Sequence, residues 1–275
     1  MSILIGILIG LVLGLTGAGG SVFAVPLLIL LMALPVSQAT GVALAAVSLS
    51  AAVGAVKGWR QGDVLVVPAL LLSFGGMLMA PAGKWLGNQV DESVLLGGFS
   101  LLAVMIALRM WRQAVANPEQ ARVIRAGKSS ETGDARLLCP LGPDGEFHLR
   151  PRCLAGLTVS GMGVGLLSGF FGVGGGFMIV PLLFFMTGLS YTAAVATSLV
   201  VITLVSASGF ASYLLLNALP PVSLLLQVAL GGVAGMLVGF AIAKKVAGAS
   251  LQKLFALALI LVVLVTLLRF FLFAN

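Results

Sequence analysis

Charge is what this sequence has least of. Only 8% of its 275 residues are Asp, Glu, Lys or Arg, against about a quarter in a soluble domain. No charged residue precedes Lys57, and none falls between Cys153 and Ala243. Stretches of that length and character exclude a water-soluble fold. The eight acidic residues (Asp63, Asp91, Glu92, Glu119, Glu131, Asp134, Asp144 and Glu146) all lie at the ends of apolar stretches or in one polar loop. A proton relay through buried carboxylates has nothing to run on. No Walker A lysine motif is present, which excludes direct use of ATP. The two cysteines, Cys139 and Cys153, imply no disulfide framework. With the single histidine, His148, they make three ligand types without a recognised metal spacing, so neither a metal nor a cofactor is expected. No nucleophile and base sit together at membrane depth, so an enzyme is not expected either.

What is present is hydrophobic: 60% of residues, with mean hydropathy +1.19. Apolar segments fall at about 2–34, 37–57, 64–87 and 93–111, then at about 153–188, 190–216, 221–244 and 250–273. In lipid only helices or closed barrels satisfy their backbone groups, and these segments are too long and too uniformly apolar for barrel strands. The expected class is an all-α polytopic membrane protein. Its first segment outruns a signal-peptide core and lacks a basic leader, so it belongs to the mature chain. The net charge of +7 sits at segment ends and in the loop, which is the positive-inside pattern. The expected partner of the apolar surface is the lipid bilayer, and no nucleic acid is called for.

A segment occurs twice, 155 residues apart. The first copy runs from Gly10 through Gly14, Gly17, Gly19 and Gly20 to Pro26-Leu27-Leu28. The second runs from Gly165 through Gly169, Gly172, Gly174 and Gly175 to Pro181-Leu182-Leu183. Ten of nineteen positions match without a gap. The correspondence extends outward: Ala39 falls on Ala194, Leu44 on Leu199, Gly54 on Gly209, and Gly75-Gly76 on Gly231-Gly232 after a one-residue shift. The expected organisation is a membrane repeat at 1–111, a cytoplasmic polar linker at 112–152 with a small β-hairpin between Arg136 and Arg150, and a second membrane repeat at 153–275.

The first segment of each half is too long for one span. About 34 residues of helix measure roughly 50 Å against a core of about 30 Å. Two half-helices meeting at the glycines fit better, either as a re-entrant hairpin or as a long broken span. Hairpins give inverted halves and put thirteen of the fifteen Lys and Arg residues on one side, leaving only Lys84 and Arg269 opposite. Eight simple crossings split them eleven to four. The charge rule favours hairpins.

Glycine clusters inside a duplicated, interrupted apolar segment mark a transporter's binding site. A helix that restarts after such a cluster offers unpaired N–H groups and the positive end of its dipole to an anion. The candidate binding residues are Gly17, Gly19, Gly20 and Ser21 in the first half and Gly172, Gly174, Gly175 and Gly176 in the second. Thr197 and Ser198 are further hydroxyl donors, with Thr16 and Ser48 beside them. The two clusters are expected to converge on one solute near the membrane midplane. The competing reading, tight helix packing, is preferred for Gly10, Gly14, Gly165 and Gly169. Phe170 and Phe171 are gate candidates, against a lipid-facing or core role. Lys57 and Arg60 read as topogenic charges.

The repeated G-x-x-G-x-G-G block followed by proline, with the stretch Ala194-Val195-Ala196-Thr197-Ser198-Leu199, resembles the TauE/SafE family of sulfite exporters. The resemblance covers both halves. It implies a secondary permease of the prokaryotic cytoplasmic (inner) membrane. The implied solute is a small sulfur-containing anion such as sulfite or an organosulfonate, and a homo-oligomer is compatible with it. The first half departs from the pattern: Val42 and Ala43 stand where the second half has Thr197 and Ser198, so they supply no hydroxyl. A permease or channel for another small anion or metabolite is the alternative. A non-transporting membrane scaffold is the reading from a different class, and it has no need of a duplicated glycine break.

Overall fold

A computed structural model describes residues 1–17, 20–116, 151–172, 174–187, 191–217, 219–246 and positions 257, 260, 261, 264 and 265. Its described elements are all helices: α1 (Ser2–Thr16), α2 (Gly20–Met32), α3 (Val36–Gln61), α4 (Val66–Gly87), α5 (Glu92–Ala116), α6 (Pro151–Phe171), α7 (Gly176–Thr187), α8 (Tyr191–Leu216) and α9 (Val222–Val246). Among the described residues no strand occurs. The β-hairpin expected at Arg136–Arg150 lies outside them, as do Cys139 and His148. Cys153 is buried and disulfide-bonded, a covalent tie not anticipated from two cysteines.

Each break has a local cause. Gly17 ends α1 in the left-handed region at φ 69°, its N–H donating to Leu13 O at 2.7 Å, a conformation that costs little only without a Cβ. Pro35 starts α3 with ψ 146°, and Gly62 ends it at φ 76°. Among the described residues five helices are long and apolar enough to cross a bilayer: Val36–Gln61, Val66–Gly87, Cys153–Phe171, Ala193–Leu216 and Val222–Ile242. The protein is therefore a multi-pass membrane protein. Helices α1 and α2, with 15 and 13 residues, reach only about 20 Å each, short of the roughly 30 Å hydrocarbon core.

Helix directions follow from which residues touch. Gly6, Gly10 and Gly14 on α1 press against Val228, Gly232 and Met236 on α9, so the two helices run parallel. Gly161, Gly165 and Gly169 on α6 press against Leu72, Gly76 and Ala80 on α4, again in parallel. At each contact the facing atoms are backbone, which is why every fourth residue is glycine. The packing role expected for Gly10, Gly14, Gly165 and Gly169 is the one they have. Central α3 and α8 run antiparallel: Gly209 meets Leu44, Ser48 Oγ donates to Thr203 O at 3.1 Å, and Gly54 meets Leu199. Gly232 lies on Ser50 and Gly54 on Met236, which aligns α3 with α9. Val205 lies on Gly76, and Ser208 Oγ donates to Met77 O at 3.0 Å, which aligns α8 with α4.

Two parallel sets result, α1–α3–α9 and α4–α6–α8, pointing in opposite directions. Because α1 and α3 point the same way, α2 must run back between them. The same holds for α7 between α6 and α8. The main core lies along the α3–α8 pair and includes Leu44, Val47, Leu199 and Ile202. A second cluster gathers Val22, Phe23, Leu96, Phe99 and Phe171 around α2 and α5.

Candidate functional site

The described glycine turns do not meet. The turn after α1 docks on the first residues of α8: a Cβ on Gly17 would lie 2.8 Å from Val195 Cγ2. The turn after α6 docks on the first residues of α3: a Cβ on Gly172 would lie 2.8 Å from Thr40 Cβ. Helices α3 and α8 are antiparallel, so their starts lie at opposite ends of the pair. Gly58, which touches Ala196, marks one end of α3, and Thr40 marks the other. Eighteen residues of helix separate them, about 27 Å at 1.5 Å per residue. Convergence of both clusters on one midplane solute is thus corrected to two separate places, each formed by one half's turn and the other half's long helix.

At the first place Gly17 is buried, and Ser198 Oγ lies 2.8 Å from Val195 O and 3.3 Å from Gly17 O. Thr197 is fully buried, and its Oγ1 accepts the Leu65 N–H at 3.1 Å. That ties the start of α4 to α8. Both hydroxyls expected to face a solute therefore hold backbone. Thr16 Oγ1 donates to Val12 O at 2.8 Å, and Ser48 is engaged with Thr203 as above. Gly20 opens α2 and packs on α1, where a Cβ would lie 2.5 Å from that of Leu13. Gly19 lies outside the described residues, and of Ser21 only the helical backbone is described. Lys57 Nζ stands 5.0 Å over the Phe240 ring at this end.

The second place is richer. Gly172, Gly174 and Gly175 all have positive φ, at 68°, 71° and 64°, and Gly176 opens α7 directly after them. Gly172 N–H donates to Ser168 O at 2.8 Å. Ser168 is 1% exposed, and its Oγ has no hydrogen-bond partner among the described residues. A Cβ on Gly175 would lie 3.4 Å from the Ser168 Cβ, so this orphan hydroxyl belongs to the residue the turn packs on. One residue beyond Thr40, Gly41 lies under the Tyr213 ring, 2.6 Å from where its Cβ would be. Tyr213 is 1% exposed and stacks on Phe210 at 6.4 Å. Nearby, Ser37 Oγ donates to Asn217 Oδ1 at 3.2 Å.

Lys84 Nζ lies over the Tyr213 ring, 5.2 Å from its centroid. Lys84 is only 3% exposed, and among the described residues no carboxylate pairs with it. Its backbone N lies 2.9 Å from where a Gly169 Cβ would be. Sequence reasoning counted Lys84 only as one of the two basic residues, with Arg269, left on the side opposite the other thirteen. The available signal was its isolation, as the one charge between Asp63 and Asp91 inside an apolar run.

The gate candidates are held by packing. Phe171 is buried in the α2–α5 cluster, edge-on to Phe99 at 6.2 Å and to Phe170 at 4.8 Å. The Phe170 backbone O lies 2.8 Å from a Cβ built on Gly87.

Short apolar helices beside five bilayer-length helices among the described residues, with glycine turns docked on long antiparallel helices, define a polytopic helical membrane protein. The chain belongs to the family described as sulfite exporter TauE/SafE, which matches residues 2–266. It is 29% identical over 261 residues to a probable membrane transporter protein of Xylella fastidiosa, covering 93% of this chain and 89% of the relative. A probable membrane transporter protein of Bacillus subtilis is 27% identical over 245 residues, 86% and 87% of the two chains. One from Methanocaldococcus jannaschii is 27% identical over 228 residues, 78% and 72%. No solved structure matches.

Proposed function

We propose that this transporter is a secondary permease for small sulfur-containing anions, sulfite or organosulfonates among them, built from two inverted membrane repeats at 1–111 and 153–275. The observation that carries the reading is the reciprocal docking: Gly17 on Val195 and Gly172 on Thr40, each pair 155 residues from the other. The opposite directions of α1 and α6, of α3 and α8, and of α4 and α9 support inversion. The doubling back of α2 and α7 supports re-entrant hairpins. Both put the ends of α3 and α9 and the start of α6 on one side. That is the side holding Lys57, Arg60, Lys244, Lys245 and the basic linker, which positive-inside logic assigns to the cytoplasm.

On this reading each hairpin closes one end of a path along the α3–α8 pair. The half-helix starts at Gly20-Ser21, after Gly17 and Gly19, and at Gly176, after Gly172, Gly174 and Gly175, supply N–H groups and dipole charge to an anion. Thr197 and Ser198 fix the first of these places from behind. Two stations, alternately opened by rocking of one parallel set of helices against the other, give alternating access. The membrane is a prokaryotic cytoplasmic membrane.

Counterflow in proteoliposomes tests the reading. Vesicles preloaded with unlabelled sulfite or methanesulfonate should accumulate the labelled anion, and empty vesicles should not. Counterflow of another small anion only would replace the substrate class. No counterflow, together with no anion-dependent thermal stabilisation, would leave a scaffold.

A further inference from the structure

We infer that Lys84 is the fixed positive charge of the anion station at the Gly172 turn, with Tyr213 as the surface that holds its ammonium in place. This rests on the permease reading above and names the residue that reads the solute's charge.

The argument is one of missing complement. Around this place the structure gathers positive charge and hydrogen-bond donors. Three successive described glycines with positive φ lead into the N-terminus of α7, the positive end of a 12-residue helix. Lys84 adds an ammonium that is almost wholly removed from solvent. Ser168 adds a buried hydroxyl that no acceptor among the described residues takes. A chain of contacts brings these residues to the same end of the helices: Gly172 on Thr40, Gly41 on Tyr213, Lys84 Nζ over the Tyr213 ring, the Lys84 backbone N against Gly169, and the Ser168 Cβ against Gly175.

Nothing negative answers them among the described residues. The ring face of Tyr213 attracts a cation through its quadrupole but does not neutralise it. A buried charge without a partner is strongly unfavourable, and ionisable groups inside spans mark solute paths. A small anion supplies what is absent: negative charge for Lys84 and lone pairs for Ser168 Oγ. Thr40 bonds back one turn to Val36 O, Ser50 to Ala46 O and Ser100 to Leu96 O, while Ser73 on α4 and Ser206 on α8 share the orphan state of Ser168 but do not pack on a glycine turn. Ser168 does not bond back, which leaves it free to turn toward a ligand.

The two ends also differ. At the Gly17 end the cation is Lys57 on α3 and the ring is Phe240 on α9, and Lys57 is only partly buried. At the Gly172 end the cation is on α4, the ring on α8, and the charge is buried. Charge selection is therefore concentrated at the Gly172 end.

Thermal unfolding of purified protein, with sulfite and with methanesulfonate as probes and potassium chloride at matched ionic strength as control, tests this. Wild type should be stabilised by the probes in a saturable way. Lys84→Met replaces the ammonium with an unbranched apolar chain. It should leave anion-free stability equal or higher, because an unpaired buried charge is gone, and should weaken the anion affinity at least about tenfold. Lys84→Gln provides a second neutral chain should the methionine variant not remain monodisperse.

A folded neutral variant with wild-type anion affinity would overturn the inference while leaving the permease reading intact. So would loss of anion-free stability or of monodispersity in both variants, since the ammonium would then be a structural group. Absence of any anion response in wild type, with no counterflow, would instead remove the permease reading itself.

Discussion

Two glycines on α6, two residues apart, should respond in opposite ways to the same added methyl group. Gly165 faces α4: a Cβ there would lie 2.5 Å from Gly76 Cα and 2.7 Å from its carbonyl carbon. Optimal carbon–carbon separation is about 3.5–4.0 Å, so α4 and α6 must part by about 1 Å or bend. Parting does not stay local, because Gly161 and Gly169 make equally close contacts one turn to either side. Overpacking of this kind costs about 1–3 kcal/mol. Gly163 is exposed and has nothing within 4 Å of its Cβ position. Alanine there gains helix propensity of about 0.5–1 kcal/mol. The expected gap between Gly165→Ala and Gly163→Ala is then about 1.5–4 kcal/mol. Parallel unfolding of the two variants and wild type in one detergent, followed by circular dichroism, measures it. Equal stability of the two variants would refute the claim that the glycine stripe exists for backbone contact.

Three other outcomes are expected. Thr197→Val leaves the Leu65 N–H without its acceptor, so it should lower stability by about 1–3 kcal/mol with little change in KM; a large KM change at wild-type stability would return Thr197 to the solute path. Replacing residues 117–150 by a Gly/Ser linker of equal length removes Cys139 and with it the Cys153 disulfide, yet should still yield monodisperse, inserted protein, because α1–α4, α6, α8 and α9 pack directly on one another; aggregation, with wild type behaving normally, would count against it. A Ser2→Cys variant in a cysteine-free background should react with an impermeant thiol reagent from outside intact cells, and an Arg60→Cys variant should not; the reverse pattern would require the opposite orientation.

Much of this arrangement was readable in the residues. The apolar runs predicted helices, and the repeated glycine spacing predicted interruptions at Gly17 and Gly172. Charge counting favours a doubling back at each glycine cluster. Spatial relations between the halves were not readable. Gly17 and Gly172 look alike in sequence, and nothing local says that each docks on the other half's long helix, 27 Å or so from its twin. Thr197 and Ser198 advertised hydroxyls, but a hydroxyl's partner is a tertiary fact, and here the partners are the Leu65 N–H and the Gly17 and Val195 carbonyls. Lys84 was visible as a letter, yet its burial follows from Tyr213, 129 residues away, and so escaped notice.

The crosswise pairing of α1 with α9 sets the order in which the protein can be completed. Helix α1 is made long before α9, the helix that accepts its glycine stripe, which begins at Val222. At roughly 5–20 residues per second, α1 waits about 10–45 s for its neighbour. Until then Gly6, Gly10 and Gly14 face lipid or a temporary companion, on a helix too short to be held by the bilayer alone. A chain cut before α9 keeps every described element of its first half yet leaves α1 without its seat. Such a fragment should be recognised by membrane proteases as unfinished, although most of its spans have already been inserted.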